Sequence, residues 1–303
     1  QGKGYSSLHT LKGVLRPAFT LAKKNRWIFD NPCNFSLNKK RYGGTATREA
    51  LTGDEMRRYL DFMRTDRHFN KYFDGVYILF NTGLRISEFC GLTVNDIDFK
   101  EHVIHVKRQL IRLHNSDEMM YYIEEPKTEN GTRDVPMFGD VEKCFKRVID
   151  NRPVLKEEPV IWNADHTESA TGFLWFDKND SLEVAQHWQN HLRWSVNKYN
   201  KTYKQELPNI TPHVCRHTFC SMCACAGLSP KTLQMIMGHS SIEFTLNVYT
   251  HLEAGNIKEQ FFNMAQSKQY NFYSLDRAPA VVSLNDDYEE PEPNFDEEAD
   301  DED

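Results

Sequence analysis

Apolar residues recur at two different periods along this chain, and the changes of period divide it into segments. Leu8, Leu11, Leu15 and Ala22 keep to one helical stripe behind Ser6 and Ser7 as candidate caps, which predicts a helix that stops before Asn31-Pro32. Residues 42–50 break the pattern and read as an interdomain linker. Thr52 with Glu55 makes a capping box. Met56, Tyr59, Leu60 and Met63 then repeat at i, i+3, i+4 and i+7, predicting an amphipathic helix, and a second apolar helix follows at roughly 71–80. After Asp98 the period drops to two. Residues 102–108, 120–125 and 133–137 alternate and carry Val, Ile and Tyr, so short strands are predicted there, with Asn130-Gly131 as the turn between the last two.

Helical spacing returns at Val141, Cys144, Phe145 and Val148, and again at Ala185, Trp188, Leu192, Val196 and Tyr199. The mixed segment 157–180 between them reads as an irregular insertion. Three well-punctuated helices follow. Thr211 caps one whose first position is Pro212 and which closes at Gly227; Ser229-Pro230 opens the next, closed by Gly238. Ser240 and Glu243 form the capping box of the last, which carries Tyr249. The chain is therefore mainly α with a small antiparallel β-sheet, an α+β class. Its 303 residues suit two domains or one large one. No apolar run approaches the about 18 residues that a membrane span needs, so no membrane association is expected.

Charge sharpens this picture only once it is divided. The net charge is −7, but residues 286–303 hold twelve acidic side chains and no Lys or Arg, which leaves +5 for residues 1–285. Residues 1–48 hold ten Lys or Arg against Asp30 alone. Such a local excess of +9 is what a nucleic-acid footprint looks like, although a solvated helix face looks the same. The tail beyond about 275 is too acidic and too poor in apolar residues to bury a core. Seven cysteines, at 33, 90, 144, 215, 220, 223 and 225, suit a cytoplasmic, reducing location better than a secreted disulfide framework.

Four islands carry candidate chemistry. In Thr82-Gly83-Leu84-Arg85-Ile86-Ser87-Glu88, Gly83 permits a tight turn that presents Arg85 at a helix start. Lys127, in Pro126-Lys127-Thr128 before the turn, can swing into a site and donate a proton. His213 and Arg216, at i and i+3, share a helix face, and the first helical turn favours an anion. Gly238-His239 is followed ten residues later by Tyr249. Alone, each reads better as ordinary structure: a surface arginine, an edge-strand lysine, a chance HxxR, a tyrosine on the rim of a core. Zinc is a further reading of His213, Cys215, His217, Cys220, Cys223 and Cys225, but one helix points them in diverging directions, whereas tetrahedral ligands must converge. The cysteines suit packing as small hydrophobes.

Together, and in this order, the islands resemble the tyrosine recombinases, the phage-type integrases. The matching text is TGLRISEFCGLTVNDIDF at 82–99, PKT at 126–128, TPHVCRHTF at 211–219 and LQMIMGHSSIEFTLNVYTH at 233–251. The text at 81–136 looks especially like the integrases of conjugative transposons. The resemblance covers about 50–255 well and 1–41 loosely. It implies the tyrosine recombinase catalytic fold at 51–255, preceded at 1–41 by the C-terminal part of a helical core-binding domain that clamps DNA. Residues 42–50 would be the linker, 256–275 a C-terminal segment exchanged between subunits, and 276–303 a disordered acidic tail. It also implies that further residues precede Gln1.

A phosphodiester is an anion that resists nucleophiles, so breaking it needs charge neutralisation, an activated nucleophile and a protonated leaving group. Arg85 and Arg216 suit the non-bridging oxygens, because an arginine fork binds two oxygens and stays charged; His239 can donate another hydrogen bond there. By the resemblance, Tyr249 is the nucleophile, His213 its base and Lys127 the acid for the departing oxygen. The product is a 3′-phosphotyrosyl link that stores the bond energy, so neither metal nor other cofactor is implied. Glu88, one turn from Arg85, is placed to hold that guanidinium. Lys12, Arg16, Lys23, Lys24 and Arg26 are candidate DNA contacts. The implied activity is site-specific recombination that excises and integrates a mobile element. The implied partners are double-stranded DNA at element ends and target sites, further copies of the chain in a synaptic tetramer, and an accessory DNA-bending protein, on a bacterial nucleoid. A type IB topoisomerase and a non-catalytic DNA-binding regulator are the alternatives.

Overall fold

The computed structural model describes residues 5–37, 50–115, 118–126 and 131–254, with the backbone alone at 6, 114–115, 118–119 and 250–254. The chain divides after Arg48 into two units.

The N-terminal unit is built on α1 (Tyr5–Lys24), whose Leu11, Val14, Leu15 and Leu21 are exposed. The helix ends well before Asn31-Pro32. Arg26 takes a left-handed conformation at φ 61°, and the Trp27 amide reaches the Ala22 carbonyl at 2.9 Å while the Arg26 amide reaches Lys23 at 3.0 Å. That pair of bonds is a Schellman stop, which more often uses glycine and is hard to read from an arginine. The basic side chains of this unit fold onto its own loop. Lys12 donates to the Phe35 carbonyl, Arg16 to Asn34 Oδ1 at 3.5 Å, and Lys23 pairs with Asp30 at 2.6 Å, while Lys24 and Arg26 are exposed.

The larger unit begins at α2 (Gly53–Thr65), where Thr52 and Glu55 make the reciprocal capping bonds. After a single 3₁₀ turn, α3 (Phe73–Thr82) runs through the core with nine of its ten residues buried, and α4 (Ile86–Cys90) follows. The core is aromatic at its centre: Tyr59, Phe80, Phe89, Trp188, Tyr199 and Phe219 are all sealed from solvent. Gly75 is required there, because a Cβ at that position would lie 2.2 Å from the Trp188 ring.

Strands β1 (Ile97–Asp98), β2 (Val103–Val106) and β5 (Arg133–Pro136) form one antiparallel sheet in the order β1-β2-β5, while β3 (Gln109–Asn115) and β4 (Glu118–Glu124) form a separate antiparallel pair. This corrects the sequence reading in two ways. It missed β3, because Leu110, Ile111 and Leu113 do not alternate cleanly after the charged Lys107-Arg108. It also placed a turn between β4 and β5 as if they paired, whereas β4 pairs with β3 and β5 with β2. After α5 (Val141–Asp150), the irregular stretch holds a small hairpin of β6 (Ile161–Trp162) and β7 (Ser169–Ala170). Then come α6 (Ala185–Thr202), α7 (Pro212–Cys225), α8 (Pro230–Met237) and α9 (Ile242–Ala254). The α9 cap falls on Ser241, whose Oγ accepts from the Glu243 amide at 3.2 Å, rather than on Ser240. Two adjacent serines offer the same chemistry, and spacing alone does not choose between them. Among the described residues, no helix is long and apolar enough to cross a membrane.

Candidate active site

Two helix ends build the site. Gly83 ends α3 in a left-handed conformation at φ 63°, and a Cβ there would lie 2.5 Å from the Phe219 ring. The chain can therefore turn tightly against α7 and set Arg85 at the start of α4. Gly238 ends α8 in the same way, at φ 62°. The Gly238 amide bonds the Met235 carbonyl at 3.1 Å and the His239 amide bonds Gln234 at 3.2 Å, so His239 is fixed as the last residue of a Schellman motif.

That motif leaves the last carbonyls of α8 without helical partners. Three guanidiniums supply them. Arg133 Nε donates to the Ile236 carbonyl at 2.6 Å, Arg216 Nη2 to Met237, and Arg85 Nη2 to Gly238 at 2.6 Å. Arg216 also donates to the Gly83 carbonyl, so one side chain ties both helix ends together. Cations at a helix C-terminus meet the negative end of its dipole, which offsets part of their mutual repulsion. Glu88 offsets more. Its fully buried carboxylate accepts from Arg85 Nη1 at 2.7 Å and Arg85 N at 2.8 Å, and takes a two-pronged bond from Arg133 at 3.0 and 2.8 Å. Burial opposes ionisation of Glu88, but the hydrogen bond from Arg133 and then the charges of Arg133, Arg85 and Arg216 outweigh it and hold its pKa below the ordinary value. Burial first, and Arg85 second, pull Arg216 down to about 9, which leaves it charged at neutral pH.

His239 sits beside this cluster with Nδ1 2.9 Å from the Thr245 hydroxyl. Burial, then the charges of Arg216, Arg85 and Arg133, lower its pKa from 6.5 to about 4. It is a neutral hydrogen-bonding group at working pH. The sign has a consequence for stability. A depressed folded-state value means that the unfolded chain takes up the proton first, so this contribution is fully present above pH 6.5 and is lost as pH falls toward about 4. The melting temperature of the native chain should therefore decline more steeply across that window than that of His239→Asn; parallel curves would refute the assignment.

His213 and Tyr249 stand differently from these groups. His213 is exposed, and its Nε2 lies 3.0 Å from His217 Nε2, one turn on along α7. One proton serves that contact, so the two imidazoles cannot both be charged in it. Tyr249 is half-buried, and its hydroxyl donates to the Leu228 carbonyl. Its pKa is raised by burial first and then by Cys220, Cys223 and Cys225. The Tyr249 hydroxyl is thus bonded just past the end of α7, whereas the Arg216 guanidinium is bonded to Gly83 and Met237. The structure brings Arg85, Arg216, His239 and Glu88 together, while the Tyr249 hydroxyl bonds to Leu228. Cys215, Cys220 and Cys223 are buried, and burial raises all three thiols. Among the described residues, no group of three or more His, Cys, Asp or Glu side chains is placed to hold a metal ion. Lys127, the segment 256–275 and the acidic tail lie outside the described residues.

Sequence reasoning missed Arg133. A signal was available: residues 133 and 135 share a strand face, Val135 is apolar, and an arginine on the buried face of a strand must be paired. His217 was weighed only as a metal ligand.

Residues 49–255 match the sequence pattern described as the phage integrase family. The chain is 36% identical over 268 residues to the transposase from transposon Tn916 of Enterococcus faecalis, and equally to the transposase from transposon Tn1545 of Streptococcus pneumoniae. In each case the match covers 88% of this chain and 64% of the relative, so the chain spans less than two thirds of their length. Among solved structures it resembles the Tn1549 transposon integrase in complex with circular intermediate DNA, with 39% identity, a TM-score of 0.73, and coverage of 88% of this chain and 81% of that one. The XerA recombinase shares the fold at 18% identity and a TM-score of 0.51.

Proposed function

This chain belongs to the phage integrase family, and from that premise we propose that it cleaves and rejoins DNA strands through a 3′-phosphotyrosyl intermediate, to excise and integrate a mobile element. The observation that carries the reading is the meeting of two charged arginines and a neutral histidine around the Gly238 turn. Arg85 and Arg216 bind the non-bridging oxygens of the scissile phosphate, and their positive charge stabilises the excess negative charge of the transition state. Backbone carbonyls fix both guanidiniums beforehand, so little reorganisation is needed when phosphate arrives. His239 donates a further hydrogen bond.

The Tyr249 oxygen attacks phosphorus as the P–O5′ bond breaks. The phenolic proton passes to His213, and Lys127 protonates the departing 5′ oxygen. A free 5′-hydroxyl later reverses these events and releases the tyrosine. Glu88 holds Arg85. Lys12, Arg16, Lys23, Lys24 and Arg26 contact DNA phosphates; the exposed Lys23–Asp30 pair is no obstacle, since solvent screens it and breaking it costs little. Residues 1–41 are then the end of a core-binding domain and 51–255 the catalytic domain. The partner is double-stranded DNA, met by a tetramer of this chain on synapsed sites in the cytoplasm. The Tn1549 integrase, solved on circular intermediate DNA, supports the choice of substrate.

The test uses nicked suicide duplexes tiled across the DNA that flanks the chain's own coding sequence. A protein–DNA adduct that survives denaturation and forms equally well in EDTA is expected. No adduct on any duplex would overturn the proposal in favour of a non-catalytic DNA-binding role.

A further inference from the structure

Arg133 opens β5 with its side chain on the same strand face as the sealed Val135, and that side chain is 6% exposed. A guanidinium carries five N–H groups. Here Nε serves the Ile236 carbonyl at 2.6 Å, Nη1 serves Glu88 and the Gly131 carbonyl at 3.0 Å each, and Nη2 serves the second Glu88 oxygen at 2.8 Å. Four of the five are spent on protein acceptors, so no two-pronged fork is left for DNA. Arg85, whose side chain is 37% exposed, is the open member of the cluster.

We propose that Arg133 is a positioning residue for strand cleavage, one that sets Arg85 and His239 at the spacing the scissile phosphate requires. The proposal rests on the functional reading above. Arg133 acts at two points. By engaging both oxygens of Glu88, it keeps that carboxylate from closing a two-pronged pair on Arg85, which would draw the Arg85 fork inward and away from phosphate. By capping Ile236, it holds the end of α8, and so the Gly238 turn from which His239 projects. It also lies six residues after Lys127 in the chain.

The test compares the native chain with Arg133→Lys and Arg133→Met on a suicide duplex that the native chain cleaves, under saturating DNA. A second duplex carries a methylphosphonate at the scissile position, where a neutral methyl replaces one charged oxygen. Lysine keeps the charge but cannot span Glu88 and Ile236 together. Both variants should form the adduct about 100-fold more slowly on the phosphate, the scale expected when reacting groups are displaced by about 1 Å. Binding to intact duplex should stay within about threefold, because DNA affinity is spread over many phosphates. On the methylphosphonate the deficit should shrink by at least about tenfold, since less charge awaits neutralisation. Native adduct rates in both variants would overturn the proposal. So would a loss equal on both substrates that tracks a lowered melting temperature, which marks a purely structural role. Should Arg133→Met fail to fold, Arg133→Lys alone decides. If the native chain forms no adduct, the functional reading itself fails, a result distinct from these.

Discussion

Tyr249→Phe should form no covalent adduct with any duplex that the native chain cleaves. The change removes one oxygen atom, and in the proposed mechanism that oxygen is the one that bonds to phosphorus. No neighbouring group can substitute without moving the whole reaction. The expected loss exceeds about 10⁴-fold, which puts the product below detection. Folding should barely notice. The phenol gives up one hydrogen bond, to the Leu228 carbonyl, worth about 1 kcal/mol, and its ring keeps its packing. Duplex affinity should stay within about threefold, because the affinity comes from many phosphate contacts. An adduct formed by the Tyr249→Phe variant would remove Tyr249 from the mechanism.

The Leu228 contact gives that experiment a second use. Burial raises the Tyr249 pKa, the opposite of what an attacking phenol needs. In the proposed mechanism the phenol releases that carbonyl to attack, and positive charge beside it would favour the phenolate. Leu228 is the last residue of the Schellman motif that ends α7, with its amide on Cys223 and its carbonyl toward Tyr249. The position of the Tyr249 hydroxyl is thus set by how α7 terminates.

The punctuation of the last three helices could be read because caps are local. Thr211-Pro212, Ser229-Pro230, Gly227 and Gly238 each satisfy backbone groups within a few residues, and short-range chemistry identifies them. Strand pairing could not be read the same way. With β3 unseen, β4 reads as the partner of β5, whereas it pairs with β3, Asn115 opposite Glu118, and β5 pairs with β2, some thirty residues away in the chain. Arg85, Arg216 and His239 could be singled out because their motifs, in that order, resemble a known family; each alone reads as ordinary structure. Their shared anchorage on the carbonyls of residues 236–238 could not, because backbone acceptors carry no residue identity. Arg133 was legible from its place on the buried face of a strand, but its pairing with Glu88, 45 residues away, was not. The seat of Tyr249 depends on a carbonyl 21 residues away and leaves no mark in its own segment.

Arg216→Lys should lower the rate of adduct formation by about 10²–10³-fold, the range for removing one donor aimed at a developing oxyanion. Lysine keeps a positive charge, so a smaller loss would be natural if charge were all that mattered. Geometry argues otherwise. Arg216 reaches the Gly83 carbonyl with one nitrogen and Met237 with another, and an ammonium, a single point, cannot do both. Gly83 belongs to the turn that presents Arg85, and Met237 precedes the turn that presents His239. Losing the fork therefore loosens the two other groups proposed to bind phosphate as well as Arg216 itself. Arg85→Lys is the informative comparison. It removes a fork held by Glu88 and Gly238 at the open edge of the cluster, while the Arg216 bridge between the two helix ends stays intact. Arg216→Lys should accordingly lose more activity than Arg85→Lys, with a lower melting temperature, because a buried carbonyl left without a donor costs about 1–3 kcal/mol. The opposite ranking on the same duplex would show that the exposed guanidinium, rather than the buried bridge, organises this site.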